Sequence, residues 1–323
     1  MKQDTRVLET TEYVMRRSRY ININQEKIKK LAENWAKSKI KIPVWNYNYH
    51  FFNNSWQSCE YLFILDSLNF CFWNKNPADK WQIKYKNSYL GGYFALAYSL
   101  KKAVKNRLIK FEPKFIFKLS YEDFKKIFLG KGDLLLLKER FKILKENYQI
   151  LDKNYNGKFI NLINECNGDA VKLVLKIVKN FPSFRDVAFY NKKKVNFYKR
   201  AQILAGDLYA SFQGKKWGRL KNLDKLTMFA DYKIPQILRG YGILEYSLEL
   251  ADKVNNGKII LSESKEEIEI RANSIWAVEF LRQEVKKMGV NLKNIEIDWI
   301  LWNKTQKNNI KLKPYHLTKT IYY

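Results

Sequence analysis

Cysteine and histidine are scarce in this chain. Its three cysteines, Cys59, Cys71 and Cys166, form no CxxC pair, and His50 and His316 are the only imidazoles among 323 residues. That leaves neither a disulfide framework nor a ligand cluster for a structural zinc, and no metal is expected. Long apolar runs are missing too. A run such as residues 61–65, which stops at Asp66, falls far short of the roughly 20 residues a helix needs to cross a bilayer. The opening residues, Met1-Lys2-Gln3-Asp4-Thr5-Arg6, lack the apolar stretch and small-residue cleavage site of a secretion signal, so a cytoplasmic protein without a membrane partner is expected. No Pro/Gly/Ser-rich hinge and no internal repeat divides the chain, and one domain over residues 1–323 is the expectation. Acidic residues are few: 32 Asp and Glu against 60 Lys and Arg give a formal net charge of +28. Such a charge attracts phosphates. Lys, Asn, Ile, Tyr and Phe are all conspicuous, however, and AU-rich codons favour all five, so genome composition can supply the lysine without a polynucleotide groove.

What is present is enough apolar material for a substantial core, 46% of residues hydrophobic and 15% aromatic. Ile28, Leu31 and Trp35 share a helical face behind Asn24, a good N-cap. Ser120 with Asp123 reads as a capping pair, flanked by Leu119 and Phe124 at the staple positions. Leu134, Leu137, Phe141, Leu144 and Tyr148 mark one face of a further helix; Val171, Val174, Leu175, Val178 and Phe181 mark another, ended by Pro182. Residues 187–190 and 195–198, separated by Asn191-Lys192-Lys193-Lys194, read as a hairpin feeding a helix over 199–212. A short strand is expected at 258–261. Ser264 and Glu267 then form a capping-box pattern before a run over 268–285 that is apolar around most of its circumference, the mark of a central buried helix. The expected fold is mostly α with a minor β element.

Four segments depart from ordinary packing because polar residues interrupt aromatic runs. The first joins Asn48-Tyr49-His50-Phe51-Phe52 to Tyr61-Leu62-Phe63-Ile64-Leu65-Asp66-Ser67-Leu68-Asn69-Phe70-Cys71-Phe72-Trp73. A carboxylate in such surroundings needs a partner: a buried cation or helix end, or else the N–H edge of a guanine-like base stacked on the neighbouring rings. His50 alone fits a structural role as well as a chemical one. The second, Ser183-Phe184-Arg185-Asp186, reads either as a local ion pair or as part of a site. In the third, Phe197-Tyr198-Lys199-Arg200-Ala201-Gln202, cations at a helix start suit an anion and equally suit a solvated surface. The fourth is Leu226-Thr227-Met228-Phe229-Ala230-Asp231-Tyr232-Lys233-Ile234-Pro235-Gln236, where Asp231 is either a helix cap with Pro235 in the first turn or a desolvated carboxylate facing an anomeric carbon.

Taken together and in order, these segments resemble the queuosine salvage protein family, the queuosine 5′-phosphate N-glycosylases. Glu269-Ile270-Arg271-Ala272-Asn273-Ser274-Ile275, Tyr315-His316 and Ile321-Tyr322-Tyr323 extend the likeness over most of the chain. The resemblance implies a helical fold similar to DNA glycosylases and hydrolysis of queuosine 5′-monophosphate, releasing queuine for reuse in tRNA. It implies no metal or organic cofactor and no obligate nucleic-acid partner. It matches the family's catalytic aspartate to Asp231 and its active-site lysine to Lys199, and places His50, Asp66, Asn69, Phe70, Trp73, Arg185, Phe229 and Tyr232 around the substrate. Asn53 and Asn303 stand where an acidic residue is expected in many relatives, which argues against an essential acid at either position.

Queuine is a 7-deazaguanine and lacks the N7 that purine glycosidases often protonate, so charge stabilisation at the sugar must carry more of the barrier. Asp231 is expected to face C1′, Lys199 to orient it or contact the 5′-phosphate, and Asp66 to read the base. Whether Asp231 attacks C1′ or activates water stays open at this point. Two other classes remain: a glycosylase that extrudes a base from a polynucleotide, and an RNA-binding module using the aromatics only for stacking.

Overall fold

Side-chain caps set many of the element boundaries. Asn24 Oδ1 accepts from the amide of Lys27 at 3.1 Å and starts the helix Gln25–Lys37, whose Ile28, Leu31, Ala32 and Trp35 are buried. Ser120 Oγ accepts from the Asp123 amide at 3.1 Å at the head of Tyr121–Ile127. Asp169 does the same for Ala170–Asn180, and Pro182 follows that helix as the sequence predicts. The structure, a computed structural model, describes residues 4–306 and 312–323; Met1, Lys2 and Gln3 of the polar opening stretch lie outside it. Helices dominate, and among the described residues the strands form only three two-stranded antiparallel sheets. No helix among them is long and apolar enough to cross a membrane.

The helix Lys265–Lys287 is the axis. Ser264 caps it, and buried residues occur around most of its circumference, as the unbroken apolar pattern requires. The helices Val7–Met15 and Gln25–Lys37 pack on one side of it, and Lys233–Gly240 and Asn294–Thr305 on another. Glu267 is more than a capping residue: its carboxylate accepts from the Glu263 amide, from Arg271 and from the Tyr323 hydroxyl.

The hairpin is present with a tighter turn than expected. Val187–Tyr190 pairs with Lys193–Asn196, and Asn191 and Lys192 alone turn the chain, both with positive φ (47° and 64°), the mirror-image geometry that a two-residue loop demands. The helix after it runs Lys199–Ser211. Two sheets were not predicted: Ile21–Ile23 with Leu244–Tyr246, and the hairpin Gln82–Tyr85 with Ser88–Gly91. The strand expected at 258–261 is reduced to a single bridge between Ile259 and Leu317, too short to make a ladder.

The helix Leu137–Tyr155 differs from its apolar stripe in an informative way. Leu134 precedes it, Leu137 and Phe141 are half-buried, and the deepest face carries Arg140 and Asn147 beside Leu144 and Tyr148. Arg140 is buried without a carboxylate because its guanidinium donates to the carbonyls of Leu68, Phe70 and Leu135. Burial holds its pKa down to about 9.

One buried ion pair ties the hairpin to the axial helix. Arg271 donates to both oxygens of Asp186, at 3.0 and 2.6 Å. Asp186 therefore does not pair with its neighbour Arg185, which instead donates to the carbonyls of Val178 and Lys179 at the end of a helix. Replacing Asp186 by Ala strands the Arg271 charge in the interior. Urea unfolding is expected to show a loss of about 3–5 kcal/mol, whereas a midpoint unchanged from wild type would mean that the pair contributes nothing to stability.

Candidate active site

A cavity of about 560 Å³ opens between residues 43–50, the loop 69–72, the helix Gly92–Lys105, the helix Lys199–Ser211, residues 229–233 and the helix Asn294–Thr305. Its volume lies within the usual range for an enclosed small-molecule site. Of the residues singled out from sequence, His50, Asn69, Phe70, Lys199, Phe229, Asp231 and Tyr232 line it. Asp66, Trp73 and Arg185 do not. Trp73 donates its indole N–H to Thr318 O at 3.0 Å and is used in packing; Arg185 closes the helix end described above.

Lys199 and Asp231 reach the cavity from unconnected segments because each is fixed by the same arginine. The Lys199 amide donates to Asp186 Oδ2 at 3.1 Å, and Tyr198, just before it, takes a left-handed φ of 52° with its amide on Asp186 O. Arg271, the partner of Asp186, donates Nε to Ala230 O at 3.1 Å, next to Asp231. Asp231 does cap a helix: its Oδ1 accepts from the amides of Lys233 and Ile234 at 2.8 and 2.9 Å, with Pro235 in the first turn of Lys233–Gly240. Capping occupies one oxygen, so the structural and chemical readings of Asp231 are compatible. Burial raises the pKa of Asp231 while Lys199 pulls it back, and burial lowers that of Lys199 while Asp231 supports its charge. Each stabilises the other's ionised form in a place that disfavours both.

The loop carrying Asn69 and Phe70 follows the helix Trp56–Ser67 and is clamped by two buried arginines. Arg200 donates to the carbonyls of Asp66, Ser67 and Ser183. Phe70 lies between the guanidinium groups of Arg140 and Arg200, at 4.1 and 5.1 Å from its ring centre. Lys199 Nζ donates to Asn69 O at 3.3 Å. Asp66 sits behind this loop, fully buried; Asn69 Nδ2 reaches its Oδ1 at 3.4 Å and its Oδ2 has no partner. Burial, then the nearby Asp207, drive its pKa well above the usual carboxylate range. Asp66 does not line the cavity, so the base-reading role expected of it has no geometric support.

Sequence reasoning missed four polar groups of the cavity wall: Asp207, Asp298, Lys80 and Lys233. Asp298 accepts from the Phe229 amide at 2.9 Å; burial and the adjacent Asp231 raise its pKa well above normal. Asp207 Oδ2 is 2.8 Å from the Tyr93 hydroxyl, which is 3.1 Å from His50 Nε2, whose Nδ1 is 2.7 Å from Asn46 O. Burial pushes Asp207 up to about 7 and His50 down to about 4. A usable signal for Asp207 existed: Lys199, Ile203, Asp207 and Ala210 fall on one helical stripe, and all four line the cavity. Lys233 lies over the Tyr315 ring at 4.5 Å, and burial together with the like charge of Lys80 lowers its pKa to about 8. Asn303 lines the cavity as an amide that donates to Trp299 O.

These features define a helical protein whose cavity combines aromatic walls, a buried lysine and a buried aspartate from separate segments, and two further lysines. The chain belongs to the queuosine salvage protein family, whose characteristic sequence matches residues 49–323. It is 38% identical to the queuosine 5′-phosphate N-glycosylase/hydrolase of Sphaerobacter thermophilus over 98% of this chain and 97% of that one. The protein of the same name from Dictyostelium discoideum is 36% identical over 99% of both chains, and that from Mus musculus 32% over 98% of both.

Gly206 lets the wall close. It lies inside the helix Lys199–Ser211, where glycine costs about 1 kcal/mol relative to alanine. A Cβ there would come within 3.1 Å of the Phe229 ring and 3.3 Å of Trp299. Gly206→Ala is expected to displace Phe229 and weaken ligand binding, seen as a KM raised about tenfold or more with little change in kcat. An unchanged KM would mean the ring moves freely and does not shape the cavity.

Proposed function

We propose that this chain is an N-glycoside hydrolase that releases queuine from queuosine 5′-monophosphate, working as a single cytoplasmic domain without a cofactor or a nucleic-acid partner. The observation that carries the reading is the desolvated Asp231–Lys199 pair on the floor of an aromatic cavity sized for one nucleotide. Asp231 keeps Oδ2 free of the capping bonds, and Lys199 opposes the effect of burial by favouring the carboxylate, which suits a site where an oxocarbenium-like cation would develop. The rings supply stacking for the base. Lys80 and Lys233 suit the phosphate better than Lys199 does, because the like charge of Lys80 burdens Lys233 and an arriving anion would relieve it, whereas the nearest charge supporting Lys199 is Asp231.

Asp231→Asn separates chemistry from capping, since Asn is also a good cap. The variant is expected to fold, to bind queuosine 5′-monophosphate, and to lose queuine release by a factor of ~100 or more in single turnover. Near-normal release from a folded variant would refute the assignment.

The rim lysines predict a preference for the nucleotide over the nucleoside. In the double variant Lys80→Met/Lys233→Met, kcat/KM for queuosine 5′-monophosphate should fall by about 100-fold, in line with two charge-assisted contacts, while that for queuosine stays nearly constant. In the parent protein the same preference should fade as pH rises through about 8, where Lys233 loses its proton. Equal losses on both substrates would place the phosphate elsewhere.

A further inference from the structure

The contacts of Asp207 determine its protonation. Asn46 O can only accept, so His50 Nδ1 carries a hydrogen and donates to it at 2.7 Å. Burial keeps the His50 ring neutral, with Lys101 adding to the effect. Nε2 is therefore an acceptor, and the group facing it at 3.1 Å is the Tyr93 hydroxyl, which has one hydrogen to give. If Tyr93 donates to His50, its oxygen must receive a hydrogen from the other neighbour, Asp207 Oδ2 at 2.8 Å. The relay Asn46–His50–Tyr93–Asp207 is fully satisfied only when Asp207 is a carboxylic acid; an ionised Asp207 would take the Tyr93 hydrogen and leave Nε2 facing a lone pair.

Burial is the main influence on Asp207 and favours its acid form. Asp66, on the helix Trp56–Ser67 packed against this one, and Asp298, on Asn294–Thr305, are raised by burial as well and bring no positive charge to it; Lys199, on the same helix, favours the carboxylate. Lys199 is two turns away, about 12 Å along the axis at 1.5 Å per residue, and its ammonium donates to Asn69 O. The cavity thus has one carboxyl group that Lys199 draws toward ionisation and another, near His50 and Tyr93, whose hydrogen bonds call for a proton. Two carboxyl groups pushed to opposite protonation states in one cavity are the pattern of paired base and acid.

We propose that Asp207 is the catalytic acid of this site, giving its proton to the departing base. The assignment rests on the hydrolase reading above. When the C1′–N bond breaks, its electron pair leaves with the base, the hydrogen that Asp207 shared with Tyr93 passes to the base at an acceptor of its pyrimidine ring, and Tyr93 turns its own hydrogen from His50 to the new carboxylate. Water adds hydroxide to C1′ and passes its proton to Asp231; exchange with solvent then restores Asp207 as acid and Asp231 as carboxylate. The net change is addition of one water across one bond. A 7-deazaguanine has carbon at position 7, so the acid must meet the base elsewhere on its edge.

The test compares queuosine 5′-monophosphate with 4-nitrophenyl β-ribofuranoside 5-phosphate, whose leaving group needs no proton. In Asp207→Asn the ratio of kcat/KM for the natural to the nitrophenyl substrate is expected to fall about 100-fold, within the range for loss of a general acid. The decline of kcat/KM for the natural substrate above pH 7 should vanish in the variant, while the limb due to Lys233 is common to both substrates. Tyr93→Phe, which keeps Asp207 but breaks the relay, should move that decline to lower pH. An unchanged ratio in Asp207→Asn, or an unmoved decline in Tyr93→Phe should the first variant not fold, overturns the acid assignment. Wild-type protein that releases no queuine at all overturns the hydrolase reading itself, a result distinguishable from either.

Discussion

The bidentate pair between Arg271 and Asp186 is the constraint on which the site depends. Asp186 holds the first amide of the site helix, and Arg271 holds the carbonyl next to Asp231. Lys199 and Asp231, distant in sequence, thereby acquire a common origin. The guanidinium lies between the rings of Phe197 and Tyr323, 3.9 and 4.4 Å from their centres, and shares Glu267 with the Tyr323 hydroxyl. Desolvation of an isolated pair is expensive. Here the fork is satisfied on each nitrogen and flanked by π-faces, so the cost is offset by contacts that also fix geometry.

A second pair of buried arginines works without carboxylates. Arg140 and Arg200 donate to the backbone carbonyls of Asp66, Ser67, Leu68 and Phe70, fixing a loop that includes Cys71 in a left-handed conformation. Tyr323 closes the same loop through its carbonyl, which accepts from the Cys71 amide at 2.8 Å. Chain segments far apart in sequence are joined through main-chain atoms, which explains why side-chain patterns gave little warning of the arrangement.

Features governed by local chemistry were legible in the sequence. Asn24, Ser120 and Ser264 cap the helices expected of them, the stripe ending at Pro182 is a helix, and the encircling apolar pattern of 268–285 lies in the axial helix. Features governed by long-range pairing were not. The sheet joining residues 21–23 to 244–246 has no turn to announce it, and Arg140 interrupts an apolar face for a reason visible only once the carbonyls of a distant loop surround it. In the cavity, the aromatic interruptions led to His50, Asn69, Phe70, Lys199, Phe229, Asp231 and Tyr232. They misled at Asp66 and Trp73, because an aspartate beside aromatics reads the same whether it faces a ligand or the back of the wall. Asp207 and Asp298 passed unnoticed as ordinary polar positions on helices.

The carboxyl groups around Lys199 also make the cavity a proton reservoir. Asp66, Asp207 and Asp298 are all raised by burial, and Asp207 lies near neutrality. An entering phosphate adds negative charge, which favours every protonated form in the enclosure, and the linkage is reciprocal. Ligand capture near pH 7 is then accompanied by proton uptake from the medium, and release of the anion returns those protons. The heat of binding consequently contains the ionisation enthalpy of whichever buffer supplies them, and differs between phosphate and Tris solutions of the same pH even though the contacts made in the cavity are identical.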